Sequence, residues 1–368
     1  GVGATATLRA MDGQTVVATA AWSSLNSAVA TVDGAGVVTA LAAGQVTIRA
    51  TANGAPAYAL VTVSVPEAAP VTHWTAMASG TTAALRAVWG ASATDVYAVG
   101  DSGVVLHYNG TAWSRMASGT TAYLETIWGA SASDIYVAGI VYYDTWMHPG
   151  DSVLVGRWNG STWSWQAVGF FSGYPGRQGL WGASPRAVFL GGAALSSSPL
   201  FFDGTRWGNG AVQAFNTFSF LWGTSAANAY AAVSATGNIQ RYDGSSWATM
   251  TTFPLPSLGW SAFLHWSLWG TSAADVFAVS GQGTVVHYDG AAWSAMTTNA
   301  TAYLEGVWGT SATNVYAVGY GGTILHYDGA TWSSMVSGTT VQLYGIWGTT
   351  PTTVFVVGAN GTILKGTP

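Results

Sequence analysis

The chain has 368 residues, 49% hydrophobic and only 7% charged, with a formal net charge of −5 and a single lysine, Lys365. So much apolar and aromatic surface excludes a disordered chain, and the scarcity of basic residues argues against nucleic acid or an anionic membrane surface as partner. Cysteine is absent, which excludes disulfides and thiolate metal sites, and no apolar run approaches the roughly 18–20 residues of a membrane-spanning helix.

Residues 1–65 are patterned differently from the rest. The run “AAWSSLNSAVATVDGAGVVTALAAGQVTIRAT” alternates apolar and polar positions in short stretches, punctuated by Asp33-Gly34 and Gly44. Short alternating strands with turn signals at this spacing predict a β-sandwich. The run resembles the bacterial immunoglobulin-like domain, group 2. That resemblance implies core positions at Trp22, Val29, Val32, Val37 and Val38, a turn at Gly44, and a non-catalytic spacer or adhesion module. Family members carry a further strand ahead of “GVGATATLRA”. An open sandwich edge, able to accept a strand from another molecule, is therefore expected. Residues 66–72, containing “EAAPVT”, read as a linker.

From residue 73 one unit recurs. Trp-Gly, a small polar turn and an aromatic strand occur together at Trp89, Trp128, Trp181, Trp222, Trp269, Trp308 and Trp347, spaced by 39, 53, 41, 47, 39 and 39 residues. Each unit reads as four short strands. In the sixth, A covers “YLEGVWG”, B “NVYAVG”, C “GTILHYD” and D “TWSSMVS”. Asp-Gly or Asn-Gly between C and D is a strong hairpin signal. Four-stranded repeats of this length predict a β-propeller, here over residues 73–368 with seven blades. The last repeat stops after strand C, at “GTILKGTP”. Its missing D strand stands at the front, where Trp74 matches Trp113, Trp163, Trp207, Trp247, Trp293 and Trp332. The N-terminal D strand should therefore close the last blade. Each repeat tryptophan buries roughly 150–250 Å², or about 4–6 kcal/mol gross at ~25 cal/mol per Å². The repeats resemble those of exported bacterial propellers. The expected fold is all-β: a small Ig-like sandwich followed by a seven-bladed propeller.

Structural positions repeat around a propeller, so departures from the repeat point to function. Extra residues fall between strands B and C of blade 2 (139–152), before blade 3 (169–178) and before blade 5 (251–266). B–C loops and D–A links leave a blade on the same face, so all three insertions share it. They bring Tyr142, Tyr143, Trp146, His148, Phe170, Phe171, Tyr174, Phe253 and Trp260. A second departure lies three residues before each strand-A tryptophan: Arg86, Glu125, Gln178, Ser219, Trp266, Glu305 and Tyr344. This position begins the innermost strand and is expected at the channel mouth on the inserted face. Aromatic surface with a few polar groups suits sugars, peptides or protein partners. The competing readings are loop filler and drift at a solvent-lined position.

Other chemistry is weaker. His107, His287 and His326 recur before a tyrosine in strand C, which marks them as structural. His148 with Asp144 and Asp151 forms a possible divalent-metal set that loop composition explains equally well. Glu125 and Glu305 stand three blades apart the short way, whereas glycoside hydrolysis needs carboxyls about 5–9.5 Å apart. Asn109, Asn159, Asn299 and Asn360 lie in glycosylation sequons, weak signals because the first, second and fourth are ordinary turns. No metal or cofactor is expected. The composition, rich in Gly, Ala, Ser and Thr, reads as an exported surface protein whose leader has been removed. The expected function is non-enzymatic binding or adhesion, extracellular or at the cell surface, to a glycan or protein, with self-association a further option. The alternatives are a structural subunit of a filament or surface layer, and a glycosidase or lyase.

Overall fold

The computed structural model describes residues 3–368 except 13–14, 18, 43, 53, 64–68, 143–151, 171–177, 193–199, 210–217, 234–237 and 253–265. The chain divides into two compact units, Gly1–Ala68 and Ala69–Pro368. Among the described residues there is no α-helix, and four single-turn 3₁₀ segments interrupt an otherwise all-β structure.

The first unit holds two three-stranded sheets. One joins Thr5–Thr7, Val37–Ala40 and Ala30–Val32; the other joins Ala21–Ser24, Gly44–Ala52 and Ala55–Val63. Its core is Ala30, Val38, Ala40, Val46 and Ile48, with Trp22, Val29 and Val32 packed against it. Val37 is half-buried. Gly44, expected as a turn, instead opens the long strand Gly44–Ala52. The turn glycine is Gly36: its φ is +80°, and a Cβ there would lie 2.9 Å from the Trp22 ring.

In the second unit the described residues form seven four-stranded antiparallel sheets. The first has A at Leu85–Ser92, B at Asp95–Gly100, C at Val105–Tyr108 and D at Trp113–Met116. Each A strand contacts the A strand of the next sheet, and Leu343–Thr350 of the last contacts Leu85–Ser92 of the first, so the sheets form a closed cycle. The last sheet takes its D strand from the front of the unit: His73–Met77 pairs with Ile363–Thr367, with Trp74 opposite Gly366. The expected closure of the last blade is present. Residues 71–72, read as linker from the sequence, belong to this blade. Val71 is 2% exposed, its N–H donates to the Tyr316 hydroxyl at 2.9 Å, and the Thr72 N–H donates to the Thr367 carbonyl. Val71 packs on Gly366, where other C strands carry an aromatic residue.

The Trp-Gly pair has a single physical cause around the cycle. The glycine of each pair lies under the tryptophan of the preceding blade. A Cβ on Gly129 would meet Trp89 at 2.5 Å; the same approach recurs at Gly182 under Trp128, Gly223 under Trp181, Gly270 under Trp222, Gly309 under Trp269, Gly348 under Trp308 and Gly90 under Trp347, all at 2.5–2.8 Å. In the first six blades the tryptophan lies against the strand-B aromatic, as in Trp89 with Tyr97 at 6.3 Å and Trp181 with Phe189 at 5.9 Å. That aromatic reaches the C–D pair of the next blade, as Tyr136 does with Phe202 and Trp207. Aromatic contacts thus cross most blade boundaries, adding about 0.5–1.5 kcal/mol each beyond area burial.

Strand C explains the recurrent histidines. His107 stacks on Tyr97 at 4.6 Å and its Nε2 bonds Asp95 at 2.7 Å. His287 pairs with Asp275, His326 with Asn314, Arg157 with Asp134 and Arg241 with Asn228. Each joins the residue that opens strand B to the same rung of strand C. Burial and the neighbouring Asp134 push the Tyr136 hydroxyl up to about 12, so it remains a donor to the Pro185 carbonyl at 2.9 Å.

Candidate ligand-binding site

The variable position three residues before the strand-A tryptophan is a β-bulge in five blades. The A–B register skips Arg86, Glu125, Ser219, Glu305 and Tyr344. A bulge leaves its residue out of the ladder and re-aims the side chain. In blade 3 there is no such skip, and Gln178 pairs directly with Gly192. The bulges lie at the end of each sheet where strand B turns into C, because Leu85, Leu304 and Leu343 pair with Gly100, Gly319 and Gly358 that end their B strands.

Re-aimed side chains join across blades. The Arg86 Nε and Nη2 donate to the two carboxylate oxygens of Asp101 at 2.8 and 2.9 Å. The Arg86 guanidinium lies 4.6 Å over the Tyr344 ring of the last blade. Burial works against its charge, but the Asp101 hydrogen bonds and charge, with Tyr344 and Glu125, outweigh that and raise its pKa above the ordinary arginine value. Glu125 accepts from the Gln178 N–H at 3.1 Å. On the other side, the Tyr344 hydroxyl donates to the Gln342 Oε1 at 3.2 Å, and the Gln342 Nε2 donates to Glu305 at 3.1 Å. One polar arc therefore runs over blades 3, 2, 1, 7 and 6, through Gln178, Glu125, Arg86, Tyr344 and Glu305.

The arc is less exposed than the sequence suggested. Gln178 is 1%, Glu305 2% and Tyr344 9% exposed; the Arg86 and Asp101 side chains remain 28% and 20% exposed. Trp266, expected as an aromatic platform, is instead core: it is 2% exposed and packs with Tyr230, Ile239 and Leu268. The side-chain amide of Gln178 is buried with neither its oxygen nor its nitrogen hydrogen-bonded among the described residues. Of the insertion aromatics, Tyr142 lies edge-on to Tyr123 at 5.2 Å. Tyr143, Trp146, His148, Phe171, Tyr174, Phe253 and Trp260, with Asp144 and Asp151, lie outside the described residues, as do the side chains of Phe170 and Ser219. Sequence reasoning missed Asp101 and Gln342. Asp101 had a visible signal, since the residue ending strand B is followed by Gly281, Tyr320 and Ala359 in other blades and by an acid only beside Arg86.

These features define a β-propeller, preceded by an immunoglobulin-like unit. The sequence profile of the bacterial Ig-like domain (group 2) matches residues 1–62. A search of curated protein sequences finds no match. Among solved structures the chain is similar to YCF48 bound to D1 peptide, with 16% identity and a TM-score of 0.61 over 83% of this chain and 100% of that one. It is similar to the GH74 xyloglucanase from Xanthomonas campestris, with 16% identity and a TM-score of 0.60, over 79% of this chain and 53% of that one. It is also similar to the WD40 β-propeller domain of Doa1, with 11% identity and a TM-score of 0.58, over 81% of this chain and 96% of that one. At such identities the likeness is one of fold. Among the described residues no helix is long and apolar enough to cross a membrane.

Proposed function

We propose that this chain is an exported surface protein whose seven-bladed propeller binds a glycan or protein partner, without catalysis, at the bulge end of its innermost strands. One observation carries the reading: a position that varies among otherwise matching repeats is turned out of the ladder by bulges in five blades, and four of those side chains, Arg86, Glu125, Glu305 and Tyr344, enter a cross-blade polar arc. Packing alone gives no reason for the five bulged sites to carry Arg, Glu, Ser, Glu and Tyr. The Gln178 amide supports it further. A buried amide without partners costs about 1–3 kcal/mol, a cost that a ligand hydroxyl or peptide group can offset.

The arc also sets the chemistry of the partner. Arg86 is occupied by Asp101 on its edge and by Tyr344 on its face, so it braces the site and does not serve as a free anion receptor. What remains are carboxyl, amide and phenol groups, which suit hydroxyls and peptide N–H groups. The group 2 Ig-like match fits a bacterial surface protein, and the peptide bound to YCF48 shows that this fold can hold one. The test is an array of glycans and peptides probed with the full chain and with Arg86→Ala. Hits lost in the variant support the reading; hits retained at equal strength overturn it.

A further inference from the structure

Lys365, the chain's single lysine, breaks a rule that the other blades obey. At its rung of strand C stand His107, Arg157, Phe201, Arg241, His287 and His326. Each of the five polar residues bonds an Asp or Asn that opens strand B. Phe201 stands opposite a blade opened by Ala187, so cation and acceptor are absent together. Only the last blade keeps the cation and loses the acceptor, because Thr353 opens its B strand. The Lys365 Nζ lies 5.5 Å from the Tyr108 ring and 5.7 Å from the Phe355 ring. No carboxylate among the described residues pairs with it.

This lysine borders a groove of about 470 Å³ between the outer parts of the last and first blades. Thr75 and Met77 come from the closing D strand, Thr111 and Trp113 from the first blade, and Thr367 from the C-terminus. The groove thus offers a cation, three threonine hydroxyls and an apolar surface from Met77 and Trp113. Lys365 pairs with Phe355 near the start of strand B, and the groove follows the outermost strand, D, whereas the polar arc lies on the innermost strands, A.

We propose that this groove is a second binding site, specific for an acidic sugar: a uronate whose carboxylate takes the place of the missing strand-B acid against Lys365. The hydroxyls of such a ring match Thr75, Thr111 and Thr367, and its C–H face matches Met77 and Trp113. Its volume falls within the range of sites for small ligands. The site is independent of the polar arc and stands if that reading fails.

The repeat itself supplies the decisive variant. Thr353→Asp installs at this rung the residue that five other blades carry as Asp (three) or Asn (two) in the same geometry, and it should pair with Lys365 without disturbing the fold. Isothermal titration of the full chain with a tetragalacturonate probe, at low and high salt, reads the outcome. The expected result is binding that weakens with salt, falls at least about tenfold (~1.4 kcal/mol) in both Thr353→Asp and Lys365→Met, and is unchanged in Gly208→Ala. A neutral tetragalactoside should not bind. Thermal unfolding of Thr353→Asp at or above the wild-type midpoint rules out misfolding as the cause of lost binding. Equal binding to wild type and Thr353→Asp, equal binding of the neutral sugar, no binding to folded wild-type protein, or binding only of an acidic peptide probe would each overturn the assignment.

Discussion

Gly129→Ala tests the packing that joins the blades. A strand glycine replaced by alanine normally gains about 0.5–1 kcal/mol, because glycine has more backbone entropy to lose. At Gly129 the sign should reverse. The added Cβ would meet three atoms of the Trp89 ring at 2.5, 2.7 and 2.8 Å, distances at which ring or backbone must move. Overpacking of this kind costs about 1–3 kcal/mol, leaving a net loss of about 1–2 kcal/mol. The propeller unit spans residues 69–368, and at ~2.1 cal/mol/K per residue of unfolding entropy that loss lowers the melting midpoint by about 1.5–3 °C. Two controls isolate the cause. Gly208→Ala adds a Cβ with no described atom within 4 Å and should not destabilise. In a Trp89→Leu background, Gly129→Ala should be neutral or stabilising, a coupling of at least about 1 kcal/mol between the two sites. Urea and thermal unfolding of wild type and the four variants measure this. An equal loss from Gly129→Ala with and without Trp89 refutes the account of the Trp-Gly pair.

Other outcomes follow from single side chains. Gln240→Leu should stabilise by about 1 kcal/mol in urea unfolding, because its buried Oε1 has no partner among the described residues at a rung where other blades carry Leu106, Val286 and Leu325, and an unmet buried acceptor is costly. Arg86→Ala should cost about 1–2 kcal/mol, discounted from a fully buried pair by the partial exposure of both side chains, and Arg86→Lys should recover only part, since lysine cannot make the two-pronged bond to Asp101. Backbone and hydroxyl hydrogen bonds lower Asp203 and Asp243 from 3.8 to about 2. Their contribution is complete above the unfolded value and fades as pH falls from about 4 towards 2. Asn accepts the same turn bonds at Asn109 and Asn159, so the stability gap between wild type and the Asp203→Asn, Asp243→Asn double variant should shrink below pH ~4; a constant gap in acid unfolding would refute this.

The strands, their hairpin turns and the strand that closes the last blade were legible because each rests on local chemistry repeated at a fixed spacing. Asp-Gly turns and Trp-Gly pairs identify themselves in a single copy and gain force from recurrence. What Trp-Gly accomplishes was not legible, since the tryptophan and the glycine it covers belong to different copies of the motif. The alternation of Asp or Asn in strand B with His or Arg in strand C was present in the sequence and would have assigned the histidines and exposed Lys365 as the exception. The site was half legible. The variable series was visible, and its placement at the B–C end was correct. Its bulges were not visible, because a register skip leaves no residue-type signature at Arg86 or Tyr344. Nor was the burial of Gln178, Trp266 and Glu305, which depends on neighbouring blades.

The most direct measurement of the central claim, that the bulge arc is a recognition surface, is quantitative titration of the strongest array ligand into the full chain and into Arg86→Ala, Glu125→Gln and Gly208→Ala. The account predicts at least about tenfold weaker binding (~1.4 kcal/mol) in the first two, with unchanged affinity in the third and cooperative unfolding in all. Equal affinity in all four proteins would contradict it.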